Sequence, residues 1–226
     1  MLNYRSFVGY EDKFDIIGAM QFNLLTSIGL REHHKLLDIG CGSLRAGRLF
    51  IPYLNSGNYF GIEPEKWLVA EGIRNELGLD ILKIKNPKFI YEYDFPIFQF
   101  GEVFDFMLAH SIFTHAHKGQ ISQCFKNVHS CLTEYGLFVA TFVAGDLDYE
   151  GNEWVYPTNC TYTEKTINHM AQNEGLSLVK SIMPCDEVGQ SSHFSTSIHP
   201  SNHPSKQTWA IFAHDSNIAN TIVFNI

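Results

Sequence analysis

The sequence predicts an α/β fold: a doubly wound, mostly parallel sheet of seven strands with an antiparallel C-terminal strand. Three observations carry this expectation. Short apolar runs alternate five times with helical patterns, as strands joined by crossover helices do. The first of these runs breaks at Gly40-Cys41-Gly42 just before a helix, the turn at which such sheets bind ligands. The last two runs follow one another with no helix-length apolar pattern between them, so they pair as antiparallel neighbours.

Each element follows from its residues. Phe14, Ile17, Met20, Gln21, Leu24, Leu25 and Ile28 recur at helical spacing, and Gly29 stops the helix. Lys35 to Ile39 is a buried strand ended by the glycine turn. A helix starts at Arg45 and is expected to end or kink near Ile51, because Pro52 has no N–H for the ladder. Asn58 to Ile62 is the second strand, followed by a helix over about Glu65 to Leu77. Lys88 to Tyr93 and Val103 to Ala109 are the third and fourth strands. Ile121, Cys124, Phe125, Val128, Cys131 and Leu132 form one stripe of a helix over about Gln120 to Leu132. Leu137 to Val143 is apolar throughout, as a strand covered on both faces should be. Thr161 and Glu164 have capping-box spacing before a helix bearing Ile167, Met170 and Ala171, which ends at Gly175. Leu176 to Met183 and Gln207 to His214 are the terminal strands, joined by a long polar connection.

The composition fits one folded domain. Of 226 residues, 45% are apolar and 18% charged, which excludes disorder of the whole chain. The net charge of −8 argues against a surface that tracks nucleic-acid phosphates. The longest strongly apolar run, Leu137 to Ala144, is too short for a membrane span, and residues 1–14 lack a signal-peptide run, so a cytoplasmic protein with no membrane partner is expected. Five cysteines without a C-x-x-C pair read as reduced, structural thiols.

The chemistry concentrates at strand ends. The glycine turn lets a ligand approach the backbone, but a dinucleotide fingerprint would need Gly or Ala where this chain has Arg45. Glu63 follows the second strand, 21 residues after Gly42, where an acid can accept the hydroxyls of an adenosine ribose. That acid serves nicotinamide and S-adenosylmethionine enzymes alike.

Four stretches in order resemble the class I S-adenosylmethionine-dependent methyltransferases: Leu36-Leu37-Asp38-Ile39-Gly40-Cys41-Gly42, Tyr59-Phe60-Gly61-Ile62-Glu63-Pro64, Phe104 to His115, and Gly136-Leu137-Phe138-Val139. The resemblance covers about Lys35 to His214, and the terminal strand pair fits the family's sheet edge. It implies that Asp38 and the backbone of Gly40, Cys41 and Gly42 hold the methionine end of the cofactor, with Glu63 on the ribose. It puts Asp94, at the end of the third strand, on the adenine amino group, with Phe95 beside the ring. Arg45 would reach the cofactor carboxylate or cap a surface, and Gln21 would lie over the cofactor or pack within its helix. Residues 35–143 then form the cofactor-binding core, 1–30 an N-terminal helical extension, and 144–226 the acceptor-side elements and terminal strand pair.

The acceptor side is read from histidines, whose ordinary pKa suits a general base for a hydroxyl nucleophile. His110 leaves the fourth strand and is expected at the cofactor as well as at the acceptor; His115 and His117 follow it. His193, His199 and His203 lie in the long connection, where one could reach over the acceptor, His193 foremost. Tyr156 and Tyr162 are further acceptor contacts. No metal is expected, because the histidines lack ligand spacing. The loop after the fourth strand, Ala109-His110-Ser111-Ile112, lacks the run of amino-methylating DNA enzymes. The expected activity is methyl transfer from S-adenosylmethionine to a polar small molecule, preferably at oxygen: a sugar, a nucleotide-activated precursor or a related metabolite, as in bacterial surface-polysaccharide synthesis. A nicotinamide-dependent oxidoreductase and a non-catalytic cofactor-binding module are the alternatives, and the oligomeric state is open.

Overall fold

A computed structural model of the chain describes residues 3–183, 201 and 205–215. The elements run α1 (Tyr4–Phe7), α2 (Phe14–Ser27), β1 (Leu36–Ile39), α3 (Gly47–Tyr53), β2 (Tyr59–Ile62), α4 (Lys66–Gly72), α5 (Ile81–Lys85) and β3 (Lys88–Ile90). They continue with β4 (Phe104–Ala109), α6 (Lys118–Cys131), β5 (Leu132–Ala144), β6 (Thr161–Tyr162), α7 (Glu164–Asn173), β7 (Ser177–Ile182) and β8 (Thr208–Ala213). Among the described residues, no helix is long and apolar enough to cross a membrane.

The strand order is β3-β2-β1-β4-β5-β8-β7, with β6 pairing beside β5. β1 runs parallel to β2 and β4, and β4 parallel to β5, while β8 is antiparallel to both β5 and β7. The mostly parallel sheet with an antiparallel C-terminal strand is therefore present. The order reverses at β1, so the crevice between the ends of β1 and β4 is the topological switch point.

Period-two alternation divides the core between the two faces of the sheet. Leu37, Ile39, Phe60, Ile62 and Phe138 belong to one cluster, with α6 side chains such as Phe125. Leu36, Tyr59, Leu108 and Val139 belong to the other, with Leu24 of α2 and Phe50 of α3. Asp38 takes the face of Leu36 by the same alternation, and its register partners are Gly61 on β2 and Leu108 on β4.

Several element boundaries depart from expectation. α3 contains Pro52 and runs on to Tyr53, since a proline in the last turn forfeits one ladder bond and Leu54 N–H still reaches the Phe50 carbonyl at 2.9 Å. The helix after β2 ends as α at Gly72 and widens to a π turn over Ile73–Leu77. β3 stops at Ile90 rather than Tyr93: the aromatic run looks strand-like, but Tyr91 to Asp94 are exposed and have no neighbouring strand to cover them. The α7 cap is Thr163, whose hydroxyl accepts from Thr166 N–H at 3.1 Å, while Thr161 is taken up by β6.

Candidate active site

The cofactor turn is built by three alternating left-handed residues, Gly40, Gly42 and Leu44, at φ of 70°, 54° and 62°. Such alternation points successive N–H groups the same way. Two helices fix the chain that follows. A Cβ added at Gly72 of α4 would lie 2.3 Å from the Ser43 carbonyl oxygen, and one at Gly18 of α2 would lie 2.4 Å from the Arg45 carbonyl oxygen. Only glycine at both positions lets the helices grip residues 43–45 from two sides.

The end of β2 meets this turn through Glu63. One carboxylate oxygen of Glu63 accepts from Gly42 N–H and the other from Glu65 N–H, both at 2.9 Å. Burial raises the Glu63 pKa, opposed by those two N–H groups. Asp38 accepts from the Tyr59 hydroxyl at 2.8 Å, and burial pushes its carboxyl up to about 7 against the pull of Tyr59 and Arg45.

Arg45 is a wall of the site, not a surface cap. It is 9% exposed, and burial lowers its pKa to about 10, so it stays cationic at neutral pH. Its Nη1 donates to the Val8 carbonyl at 2.8 Å and its Nη2 to His110 Nδ1 at 2.9 Å. A guanidinium only donates, so His110 presents its lone pair at Nδ1 and carries its proton on Nε2. His115 has the opposite tautomer: the Thr158 carbonyl, 2.7 Å from Nδ1, only accepts, so Nδ1 is protonated and the lone pair lies at Nε2. Burial lowers the His115 pKa, and the Thr158 bond opposes that.

These groups line one cavity of about 490 Å³ at the switch point. Asp38, Gly40, Cys41, Gly42, Arg45, Glu63, Asp94, Phe95, His110, His115 and Gln21 all border it. Gln21 is buried, and its Nε2 has no hydrogen-bond partner among the described residues. Asp94 and Phe95 reach the cavity from a loop, not from a strand end, at φ of 62° and 56°. For a bulky residue such as Phe95, that conformation is a genuine outlier of the kind found at binding sites.

Two of the remaining acceptor-side residues stand elsewhere. Tyr162 is fully buried and donates to the Ala116 carbonyl, so it is a core residue rather than an acceptor contact. His117 caps α6, accepting from Gly119 N–H. His193, His199 and His203 lie outside the described residues.

The lining residues that were not foreseen include Phe7, Val8 and Trp154. Phe7 and Val8 border the cavity from the N-terminal segment, and the Phe7 carbonyl accepts from the Tyr156 hydroxyl at 2.6 Å. Trp154 stands beside Tyr156 on the far wall. Residues 4–8 carry no periodic pattern, so their sequence held no signal for this placement.

No protein-family model matches the chain, and no curated protein is similar to it in sequence. Solved structures are similar in shape. An S-adenosylmethionine-dependent methyltransferase from Clostridium acetobutylicum ATCC 824 superposes with a TM-score of 0.62 at 11% identity, over 93% of this chain and 98% of that one. The magnesium protoporphyrin IX methyltransferase of Synechocystis PCC 6803 with bound SAH gives 0.61 at 13% identity, over 95% and 89%. The chain has the class I methyltransferase fold. A glycopeptide N-methyltransferase complexed with S-adenosylmethionine shares that fold at a TM-score of 0.61 and 8% identity, over 89% of this chain and 94% of its own.

Within this methyltransferase fold, the donor set suits S-adenosylmethionine chemically. The Asp38 carboxylate suits the ammonium of an amino-acid zwitterion and Glu63 keeps lone pairs for two hydroxyls, while the N–H groups of Gly40, Cys41 and Gly42 are taken by the Ile62 carbonyl and by Glu63.

Proposed function

We propose that this protein is an S-adenosylmethionine-dependent methyltransferase acting on a polar small molecule. The observation that carries this reading is that one cavity at the switch point gathers Asp38, the Gly40 to Gly42 turn, Glu63 and a histidine with an available lone pair. Asp38 and Arg45 would hold the methionine end, Glu63 the ribose, and Asp94 with Phe95 the adenine. The cofactor, when bound, supplies an electrophilic methyl group for in-line displacement.

The chain's task is then alignment and proton removal. His115 is the better base of the two cavity histidines, because Thr158 holds Nδ1–H and leaves Nε2 to accept a proton. His110 spends its Nδ1 lone pair on Arg45, so its place is in the cofactor wall. Oxygen is the preferred nucleophile, and a sugar or related metabolite, as in bacterial surface-polysaccharide synthesis, the preferred acceptor; this last step rests on analogy. The neighbours named for magnesium protoporphyrin IX and for a glycopeptide illustrate how widely acceptors vary on this fold.

The test is S-adenosylmethionine consumption with pooled polar metabolites. Slow turnover abolished by His115→Ala supports an enzyme with this base, and turnover unchanged in that variant removes His115 from the mechanism.

A further inference from the structure

Building on the methyl-transfer reading, we propose that the acceptor is an uncharged, polyhydroxylated ring, a sugar bearing neither phosphate nor carboxylate, which stacks on Trp154 with a hydroxyl directed at His115. The balance of charge around the cavity is the first support. Of the acids that border it, Asp38, Glu63 and Asp94 face the cofactor in that reading and Glu65 and Glu92 remain, against Arg45 as the one Lys or Arg side chain among the described residues doing so. Arg45 is committed to the Val8 carbonyl and to His110. Residues 184–204 contain no lysine or arginine.

With Arg45 held by those partners and turned to the cofactor's methionine end, an anionic acceptor would exchange water for a lining that has no further Lys or Arg among the described residues to pair it, which disfavours a phosphate. Protonating Asp38 would relieve repulsion there without adding positive charge. A nucleotide-activated sugar, with its diphosphate, is therefore the wrong acceptor for this cavity.

The far wall supplies the second support. Trp154 and Tyr156 are 43% and 44% exposed, and both border the cavity. They are nonetheless held in place: Val155 N–H donates to the His115 carbonyl at 3.0 Å, and the Tyr156 hydroxyl to the Phe7 carbonyl. The His115 ring lies 5.6 Å from Trp154 and 5.1 Å from Tyr156, centroid to centroid. A ring resting on Trp154 is thus brought beside the His115 imidazole. The C–H face of a pyranose complements the negative face of an indole, and its hydroxyls can donate to an acceptor-only carboxylate such as Glu92 on the cavity wall.

In the proposed step, the acceptor hydroxyl loses its proton to His115 Nε2 as its oxygen forms the new bond to the methyl carbon. The carbon–sulfur bond breaks with its electron pair going to sulfur, which leaves as a neutral thioether.

The experiment uses the full chain. S-adenosylhomocysteine binding is measured first by calorimetry; failure there rejects the methyl-transfer reading itself. The loaded protein is then titrated with methyl hexosides, the matching hexose 1-phosphates, UDP-glucose, a simple phenol and an alkylamine, with saturation-transfer NMR as readout. The expected result is that at least one methyl hexoside binds about tenfold or more tighter than every phosphorylated probe. Trp154→Ala should weaken that hexoside about tenfold and Trp154→Phe much less, with S-adenosylhomocysteine affinity unchanged in both. Tighter binding of a phosphate, phenol or amine probe, binding indifferent to Trp154→Ala, or no hexoside binding to the loaded protein would overturn the acceptor inference alone.

Discussion

Arg45 Nη2 donates to His110 Nδ1 across 2.9 Å, joining the turn after β1 to the end of β4 inside the cavity wall. Sixty-five residues separate the two in sequence, and both side chains are buried. Removing His110 leaves a buried guanidinium short of an acceptor, at a cost of about 1–3 kcal/mol. We therefore expect His110→Ala to weaken S-adenosylhomocysteine binding by about tenfold or more, read by calorimetry, without shifting the pH profile of kcat.

His115 should set that profile. A base must be neutral to accept a proton, and burial lowers the His115 pKa from its ordinary 6.5. Activity should be flat through neutral pH and fall only as pH drops below that ordinary value. His115→Ala should lose about 10²- to 10⁴-fold in kcat, together with the acid limb, while cofactor affinity stays unchanged. An acid limb that persists in His115→Ala would assign the titration elsewhere.

Asp38 ties stability to pH with an unusual sign. Its carboxyl is raised by burial from 3.8 to about 7, so the folded chain holds a proton that the unfolded chain releases. The resulting stabilisation is fully present below about pH 3.8 and is lost as pH rises through about 7. Asp38→Asn, which mimics the protonated acid, should flatten this part of the melting-temperature profile. Binding of an ammonium group against Asp38 favours the ionised form, so S-adenosylhomocysteine binding near pH 6 should release a proton, seen as a buffer-dependent binding enthalpy.

The two helix glycines give a backbone test. Gly72→Ala puts a methyl 2.3 Å from the Ser43 carbonyl oxygen, which is main chain and cannot rotate aside. The substitution should cost about 1–3 kcal/mol of stability, measured by denaturant unfolding, and weaken cofactor binding by shifting the turn.

How far the sequence reached depends on the range of the interaction. Asp38 and Glu63 were legible because a strand end followed by a turn is a local pattern, and the crevice they share follows from strand order. The Arg45 contact with His110 was not, because no local rule pairs a turn with a strand end so distant in sequence. The β3 end was overextended because Tyr91 and Tyr93 have strand-forming side chains; whether a strand continues depends on a neighbour, which they lack. Phe7 and Val8 reach the cavity through backbone carbonyls taken by Tyr156 and Arg45, bonds that any residue type at those positions could accept. Tyr156 was expected as an acceptor contact, whereas Trp154 gave no periodic signal and its place emerges only from its packing against His115.

The central claim is that the switch-point cavity takes S-adenosylmethionine, and calorimetry on the full chain tests it most directly. Titration with S-adenosylhomocysteine should give saturable binding at one site per chain, competed by S-adenosylmethionine and strongly weakened by Glu63→Ala, with no heat from NADH. Binding of NADH with no response to S-adenosylhomocysteine would contradict the account and assign the cavity to a nicotinamide cofactor.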